Sequence, residues 1–307
     1  FTLIEDQLRE TDKTTQKLSV KAVYTEPLSK KYSMEVSHEV SYNSGTNNQL
    51  TYGYTSATGK YDFAVDSLSN ELEQSSVINK PALKISFSDK KIKCFFGSGF
   101  GFTDFDFLDK TFNKDYLRNF TNFFPSAGFT YTYKSNHSLR INYNGNTTQP
   151  TLNQLQPLRN NNNFFNQYIG NPDLKPSFTN SLNLTHNGYN FLKDIWTYQS
   201  FNIRTVSNSI TNNRTIDAGS GRTITQPVNT NGNISINFWS GLGLKLKKAD
   251  LRLNFNPNIG YNRFADIINN KTSFSRTLNS GLSVYLSKSK DKKYDISVSN
   301  DFSFNRN

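Results

Sequence analysis

The stretch Ile234-Ser235-Ile236-Asn237-Phe238-Trp239-Ser240-Gly241-Leu242-Gly243-Leu244-Lys245-Leu246-Lys247 decides the fold. Ile234, Ile236, Phe238, Leu242, Leu244 and Leu246 share one face of an extended chain, and Ser235, Asn237, Gly241, Gly243, Lys245 and Lys247 share the other. Side chains alternate faces in this way only in a β-strand. The pattern restarts after Lys247-Lys248-Ala249-Asp250, where Leu251, Leu253, Phe255, Pro257, Ile259 and Tyr261 oppose Arg252, Asn254, Asn256, Asn258 and Asn262. Leu278, Leu282 and Val284 then oppose Ser275, Thr277, Asn279 and Ser283. Tyr294, Ile296, Val298, Phe302 and Phe304 oppose Asp295, Ser297, Ser299, Asp301 and Ser303. Several runs reach about 10–14 residues, long for a soluble sheet and suited to a tilted strand crossing a bilayer.

Composition sharpens that reading. The 307 residues carry 35 basic and 24 acidic side chains, a formal charge of +11, and only 35% are hydrophobic. A soluble β-domain would have to build its core from the second face, and Asn, Ser, Thr, Gly, Lys and Arg cannot make a dry core. A transmembrane barrel needs only every second residue apolar and tolerates a polar lumen. No apolar run approaches the roughly 18–20 residues of a membrane helix. The 25 Phe and 16 Tyr, among them Tyr24, Tyr32, Tyr42, Tyr143, Tyr261 and Tyr294 at strand ends, suit interfacial girdles as well as ordinary strands. The single Cys94 excludes an intrachain disulfide, and its phase with Ile92 and Phe96 makes it a buried or lipid-facing thiol.

Alternation and turn signals predict about a dozen strands, near 17–25, 32–43, 71–87, 91–104, 119–134, 137–147, 176–190, 194–209, 231–247, 250–263, 272–287 and 293–306. The segment 49–66 adds an extended hairpin beyond the membrane. Short connections (Glu26–Lys31, Ser88–Lys91, Ser135–His137, Asn190–Lys193, Lys247–Asp250, Ser287–Lys293) alternate with long ones at 43–70, 105–118, 148–175, 208–230 and 264–271. Short turns on one rim and long loops on the other are the pattern of outer-membrane barrels, with the short side periplasmic. Lys30, Lys31, Lys90, Lys91, Lys193, Lys247, Lys248, Lys288, Lys290, Lys292 and Lys293 crowd the short turns. They either meet anionic lipid head groups or simply keep the rim soluble. Lysines held in hairpin turns do not form a nucleic-acid stripe, so no nucleic-acid partner is expected.

Two segments carry more than periodicity. Phe123-Phe124-Pro125-Ser126-Ala127-Gly128-Phe129-Thr130-Tyr131 leads through Leu139-Arg140-Ile141-Asn142-Tyr143 to Gln149-Pro150-Thr151-Leu152-Asn153-Gln154-Leu155-Gln156-Pro157. A loop then reaches Gly170-Asn171-Pro172-Asp173-Leu174-Lys175-Pro176-Ser177-Phe178-Thr179-Asn180-Ser181-Leu182. This order resembles the barrel domain of TonB-dependent outer-membrane receptors, in the outer-membrane β-barrel group with an "FFPS" strand and an "NPDLKP" loop exit. Val23-Tyr24-Thr25-Glu26-Pro27-Leu28 is similar to that group's "Y-T-x-P" hairpin. Gln149 and Ser177 depart from the group, which often has Arg and Glu at these places. Asn171–Pro176 also reads locally as a rigid, structural turn feeding a strand, because two prolines fix φ and remove donors.

Little reactive chemistry is legible. His38, His137 and His186 are scattered and predict no metal site. Gly97-Ser98-Gly99-Phe100-Gly101 lacks the Lys-Ser/Thr and helix of a phosphate cradle and reads as a small-residue strand face. Glu71, Glu73, Asp104, Asp106 and Asp109 are taken as a solvated acidic patch at one rim. Asn-x-Ser/Thr triplets such as Asn183-Leu184-Thr185 and Asn270-Lys271-Thr272 are chance in a chain so rich in these residues.

The expectation is therefore an all-β protein, a transmembrane antiparallel β-barrel fragment of a larger, 22-stranded barrel, with residues 1–307 as one partial barrel domain. Phe1 has no signal peptide before it, and the chain reads as an excerpt of a longer protein in a Gram-negative outer membrane. The resemblance implies a plug domain and terminal strands outside this chain, a TonB-type energy-coupling partner acting through that plug, and uptake of a scarce solute of unknown identity. No catalytic residue, cofactor or metal is expected, and the chain is not an enzyme. A non-transporting barrel for adhesion or assembly is the alternative, and a soluble carbohydrate-binding sandwich the third.

Overall fold

The computed structural model describes residues 6–66, 69–111, 113–155, 159–163 and 165–307. Phe1, Gln156 and Pro157 of the readings above lie outside them. The wall is an antiparallel meander of β1 (Gln7–Pro27), β2 (Tyr32–Thr55), β4 (Asn70–Ser88), β5 (Ile92–Asp109), β6 (Lys114–Lys134), β7 (His137–Thr148), β10 (Ser177–Asn190), β11 (Ile195–Ser207), β14 (Asn233–Leu246), β15 (Leu251–Ile268), β16 (Lys271–Lys290) and β17 (Tyr294–Arg306). Each pairs with the next in that order. These are the twelve predicted strands. Among the described residues nothing joins β1 to β17, so the sheet is open with two free edges. β3 (Lys60–Ala64), α1 (Leu152–Leu155), β8 (Arg159–Asn163), β9 (Asn166–Ile169), β12 (Ser209–Ile216) and β13 (Thr223–Thr230) lie on the long-loop side.

The registers align the sequence faces across the whole wall. Met34, Ile85, Phe96, Ala127, Tyr143, Leu182, Ile203, Ile236, Tyr261 and Leu278 face one another in successive pairs. A one-residue slip anywhere would turn a strand's apolar set to the other face, so this row pins the register. Exposure is inverted relative to a soluble protein. On β5, apolar Phe96 is 66% exposed while polar Thr103 on the opposite face is 4% exposed. A continuous exposed apolar band of this kind is what a transmembrane barrel presents on its outer face.

The structure corrects several connection lengths. β2 runs on to Thr55 and pairs with β3, so the predicted loop 43–70 is mostly strand, with the extra hairpin where 49–66 suggested it. The loop 105–118 disappears into β5 and β6, which pair from Asp109↔Lys114 onward. The loop 264–271 is a two-residue turn between Ile268 and Lys271. Alternation misses these extensions because beyond the membrane both faces are wet. Hydrogen-bonded pairing continues there without an apolar period to announce it.

Pro125 in the FFPS segment has a comparable local role. The β6–β7 ladder begins at Ser126↔Asn144, whereas β6 stays paired with β5 down to Lys114. A proline has no N–H to offer β7, so pairing stops there. Gly145 sits against it, where an added Cβ would lie 2.7 Å from both Pro125 and the Phe178 ring.

On the polar face, three aromatic rings lie over glycines. Phe95 covers Gly128, Phe124 covers Gly101, and Trp196 covers Gly241 and Gly243. The predicted small-residue face at Gly97, Gly99 and Gly101 is thus a seat for rings and for Ala82, the latter 3.1 Å from a Cβ built at Gly99. Rings that cover bare glycine backbone shield it and pin the local register.

Candidate functional site

The candidate site is a group of loops on the long-loop rim and the cavity beneath it. The Asn171–Pro176 run holds the loops together. Asn171 Oδ1 accepts from Asp173 N at 3.0 Å, a side-chain turn that Asn forms readily. Asn171 Nδ2 donates to Pro227 O at 3.0 Å, and Asn171 N to Gln154 O at 2.6 Å. Asn229 clasps Lys175 from both sides, accepting from its N at 2.7 Å and donating to its O at 2.8 Å. Arg118 donates to Pro172 O at 2.9 Å, and Leu174 is buried at 4% exposure. The run therefore ties β6, α1 and β13 into one joint.

The two Asn-rich loops interlock through backbone. β8 and β9 form a hairpin, and β12 and β13 another. β9 then pairs in parallel with β13 at Thr223–Thr225, and β12 in parallel with β15 at Asn213↔Ile267 and Arg214↔Ile268. Arg214 reaches both Asp266 carboxylate oxygens, at 3.0 and 3.2 Å. The β15–β16 turn completes the hook. Asn269 and Asn270 both have positive φ, 51° and 61°, as a type I′ turn requires. Their side chains meet β12, with Asn213 Nδ2 donating to Asn270 Oδ1 at 2.6 Å and Ile216 N to Asn269 Oδ1 at 2.8 Å. Replacing both by glycine is expected to keep the turn, since glycine tolerates positive φ, but to free β12. Hydrogen exchange in 209–230 should quicken severalfold while exchange in β15 and β16 stays put. Unchanged exchange in 209–230 would mean the side-chain hooks contribute nothing.

Charge in the loops is mostly compensated. Asp217, at the β12–β13 tip, has its pKa lowered by hydrogen bonds from the Ser220 hydroxyl and the Gly219 N–H. The predicted acidic patch is not simply solvated. Glu71 and Glu73 both pair with Lys110, whose pKa is raised by its bond to Glu73 against desolvation, with help from Glu71. Asp109 is buried at 1% exposure. Asp106 is pushed up, first by burial and then by its neighbour Asp115. The three histidines are less scattered than they look in sequence. His38 stays in the apolar phase of β2, but His137 and His186 both contact Tyr133. His186 Nδ1 lies 2.5 Å from Gln199 Oε1 and Nε2 lies 2.7 Å from the Tyr133 hydroxyl. Since an amide oxygen only accepts, Nδ1 donates to Gln199, and in the neutral form of the ring Nε2 then accepts from the Tyr133 hydroxyl. Among the described residues no group of His, Cys, Asp and Glu could hold a metal ion.

Beneath the joint lies a cavity of about 650 Å³, bounded by Gln149, Gln154, Ser177, Thr179, Arg204, Ser209, Thr211, Asn233 and Ser235 among others. Both amide atoms of Gln149 are buried without a hydrogen-bond partner. Buried amides are normally paired, so Gln149 stands out on the cavity wall. The Arg204 side chain, exposed on the polar face of β11, forms no ion pair or hydrogen bond among the described residues. The departure at Gln149 thus falls on the cavity wall, and Ser177 is its neighbour there.

The sequence profile of the Outer membrane protein beta-barrel family matches residues 3–307. The chain belongs to that family. It is an outer-membrane protein. The barrel fold is similar to that of the Copper transporter OprC, at 13% identity with a TM-score of 0.60, covering 97% of this chain and 48% of that one. It is similar also to the ferric citrate transporter FecA in its unliganded form, at 8% identity with a TM-score of 0.55, covering 98% of this chain and 56% of that one. The Serratia marcescens hemophore receptor HasR, solved with its hemophore HasA and heme, matches at 6% identity with a TM-score of 0.50, over 97% of this chain and 60% of that one. The chain spans about half the length of these structures. None of the curated proteins matches it.

Proposed function

We propose that this chain is the wall and capture-loop part of a TonB-dependent receptor that takes up a scarce solute across the outer membrane. The observation that carries the reading is the cavity beneath two interlocked loops, where the amide of Gln149 and the guanidinium of Arg204 stand uncommitted. Preorganised but unpaired polar groups favour a ligand that supplies the missing bonds, and cost stability otherwise. Energy coupling belongs to a plug and a TonB-type partner outside this chain. The wall closes its backbone bonds laterally and keeps the loops outside. It has no catalytic step to perform and needs no cofactor.

The test compares growth of cells with and without the intact gene on arrays of iron chelates, cobalamin, glycans and peptides as limiting nutrients. Loss of growth on at least one nutrient is expected, and removal of the TonB-type protein should reproduce it. Undiminished growth on every nutrient, together with lost surface attachment, would replace uptake with an adhesion role.

A further inference from the structure

Outer-membrane barrels usually place tryptophan at the lipid interface, where its amphipathic ring sits at head-group level. Both tryptophans of this chain point the other way. Trp196 and Trp239 lie on the polar face of β11 and β14, the face that also carries Asn202 and Asn237. Trp196 lies flat over β14, where a Cβ added at Gly241 would be 2.7 Å from its ring. Tyr198 leans on Trp239 with ring centroids 5.0 Å apart. The rings form a shelf at the short-turn end of the wall, opening on a cavity of about 740 Å³.

The shelf is amphipathic in a specific way. No residue lining its cavity is charged. Asn187 and Ser200 in that lining, and Asn256 beside Gly241, make no side-chain hydrogen bond among the described residues. Their amides and hydroxyl are free donors and acceptors at the edge of an aromatic surface. A purely apolar occupant would leave them unpaired at a cost, and an anion would find no cation in the lining. A pyranose fits, with C–H groups on one face for the electron-rich rings and hydroxyls at its rim for the amides. The inward positions of β11 run Arg204, Asn202, Ser200, Tyr198, Trp196, from the upper cavity to the shelf. At about 3.3 Å per residue that track is roughly 26 Å long.

We propose that the Trp196–Tyr198–Trp239 shelf is a binding subsite for the sugar rings of a neutral oligosaccharide. The inference rests on the uptake reading and names its solute class.

Both tryptophans of this chain sit in the subsite, so the part of the receptor's emission change that Trp239→Phe removes reports its occupancy. The intact receptor, purified in detergent, is titrated with maltohexaose, cellohexaose and laminarihexaose, with triglutamate as a charged control. A saturable emission change is expected with at least one glucan and none with triglutamate. Calorimetry on that glucan should show at least a tenfold loss of affinity in Trp239→Ala and Trp196→Ala, and near-normal affinity in Trp239→Phe. Heat-modifiable migration confirms that each variant is folded, and Trp239→Asn, for which the same tenfold loss is expected, carries the test if the alanine variants are not. Three results overturn the proposal: no glucan changes the emission, the affinity is unaltered in the alanine or asparagine variants, or the unliganded spectrum is already that of covered tryptophans indifferent to sugar. The last would mean another part of the protein occupies the shelf. A receptor that still supports TonB-dependent growth on another nutrient while ignoring glucans would sink this inference and leave the uptake reading standing.

Discussion

Phe238→Arg is expected to destabilise the barrel by about 2–4 kcal/mol, whereas Asn237→Arg, one residue away, should cost less than about 0.5 kcal/mol. Phe238 faces Phe201 on β11 and Ile259 on β15, inside the exposed apolar band. An arginine there would have to put its charge among lipid chains near mid-membrane, where snorkelling to a head group is hardest. Asn237 faces Asn202 and Gly260 on the other side, where water replaces lipid. Reversible denaturant unfolding of the intact receptor in phospholipid vesicles gives both numbers. Equal costs would mean that the apolar face does not meet lipid, and the membrane assignment of the two faces would have to be abandoned.

Gly243→Val is expected to cost about 1–3 kcal/mol, because it over-fills a packed position. The cause is a single neighbour. A Cβ built on Gly243 lands inside the Trp196 indole, so the ring must leave its seat over β14 before valine can fit. The strand itself would welcome valine, whose β-propensity exceeds glycine's, so local preference and packing make opposite predictions. The double variant Gly243→Val with Trp196→Ala should recover most of the loss. Coupling of at least about 0.5 kcal/mol between the two positions is the signature of direct contact. Simple additivity in the same unfolding assay would show that the indole does not lie where the structure puts it.

The fold was largely readable because period and turn chemistry are local. Twelve alternating segments became twelve wall strands, and Asn and Asp at positive φ mark the tight turns, as at Asn136, Asp194 and Asp250. The sequence errs on length, at 43–70, 105–118 and 264–271, where strands leave the membrane and lose the amphipathic contrast that reveals them. The candidate site is less legible. Loops 148–175 and 208–230 stand out by composition, but their parallel pairing at Thr223↔Asn166 does not. Neither does the role of Gln149, which looks like a minor departure from a family pattern until both its amide atoms prove to be buried and unpaired. Trp239 falls in phase with the polar residues Asn237 and Gly241, and its partner Tyr198 sits 41 residues earlier, on a strand whose register only pairing fixes.

The sequence by itself therefore determined strand identity, the two faces and the membrane, since each depends on neighbours two residues apart and on the solvent each face requires. The tertiary structure decided which ring covers which glycine, how two loops lock into one lid, and where histidines far apart in the chain share a tyrosine. Those depend on which residues of strands tens of residues apart come opposite one another, and a strand's own alternation fixes only which face they share.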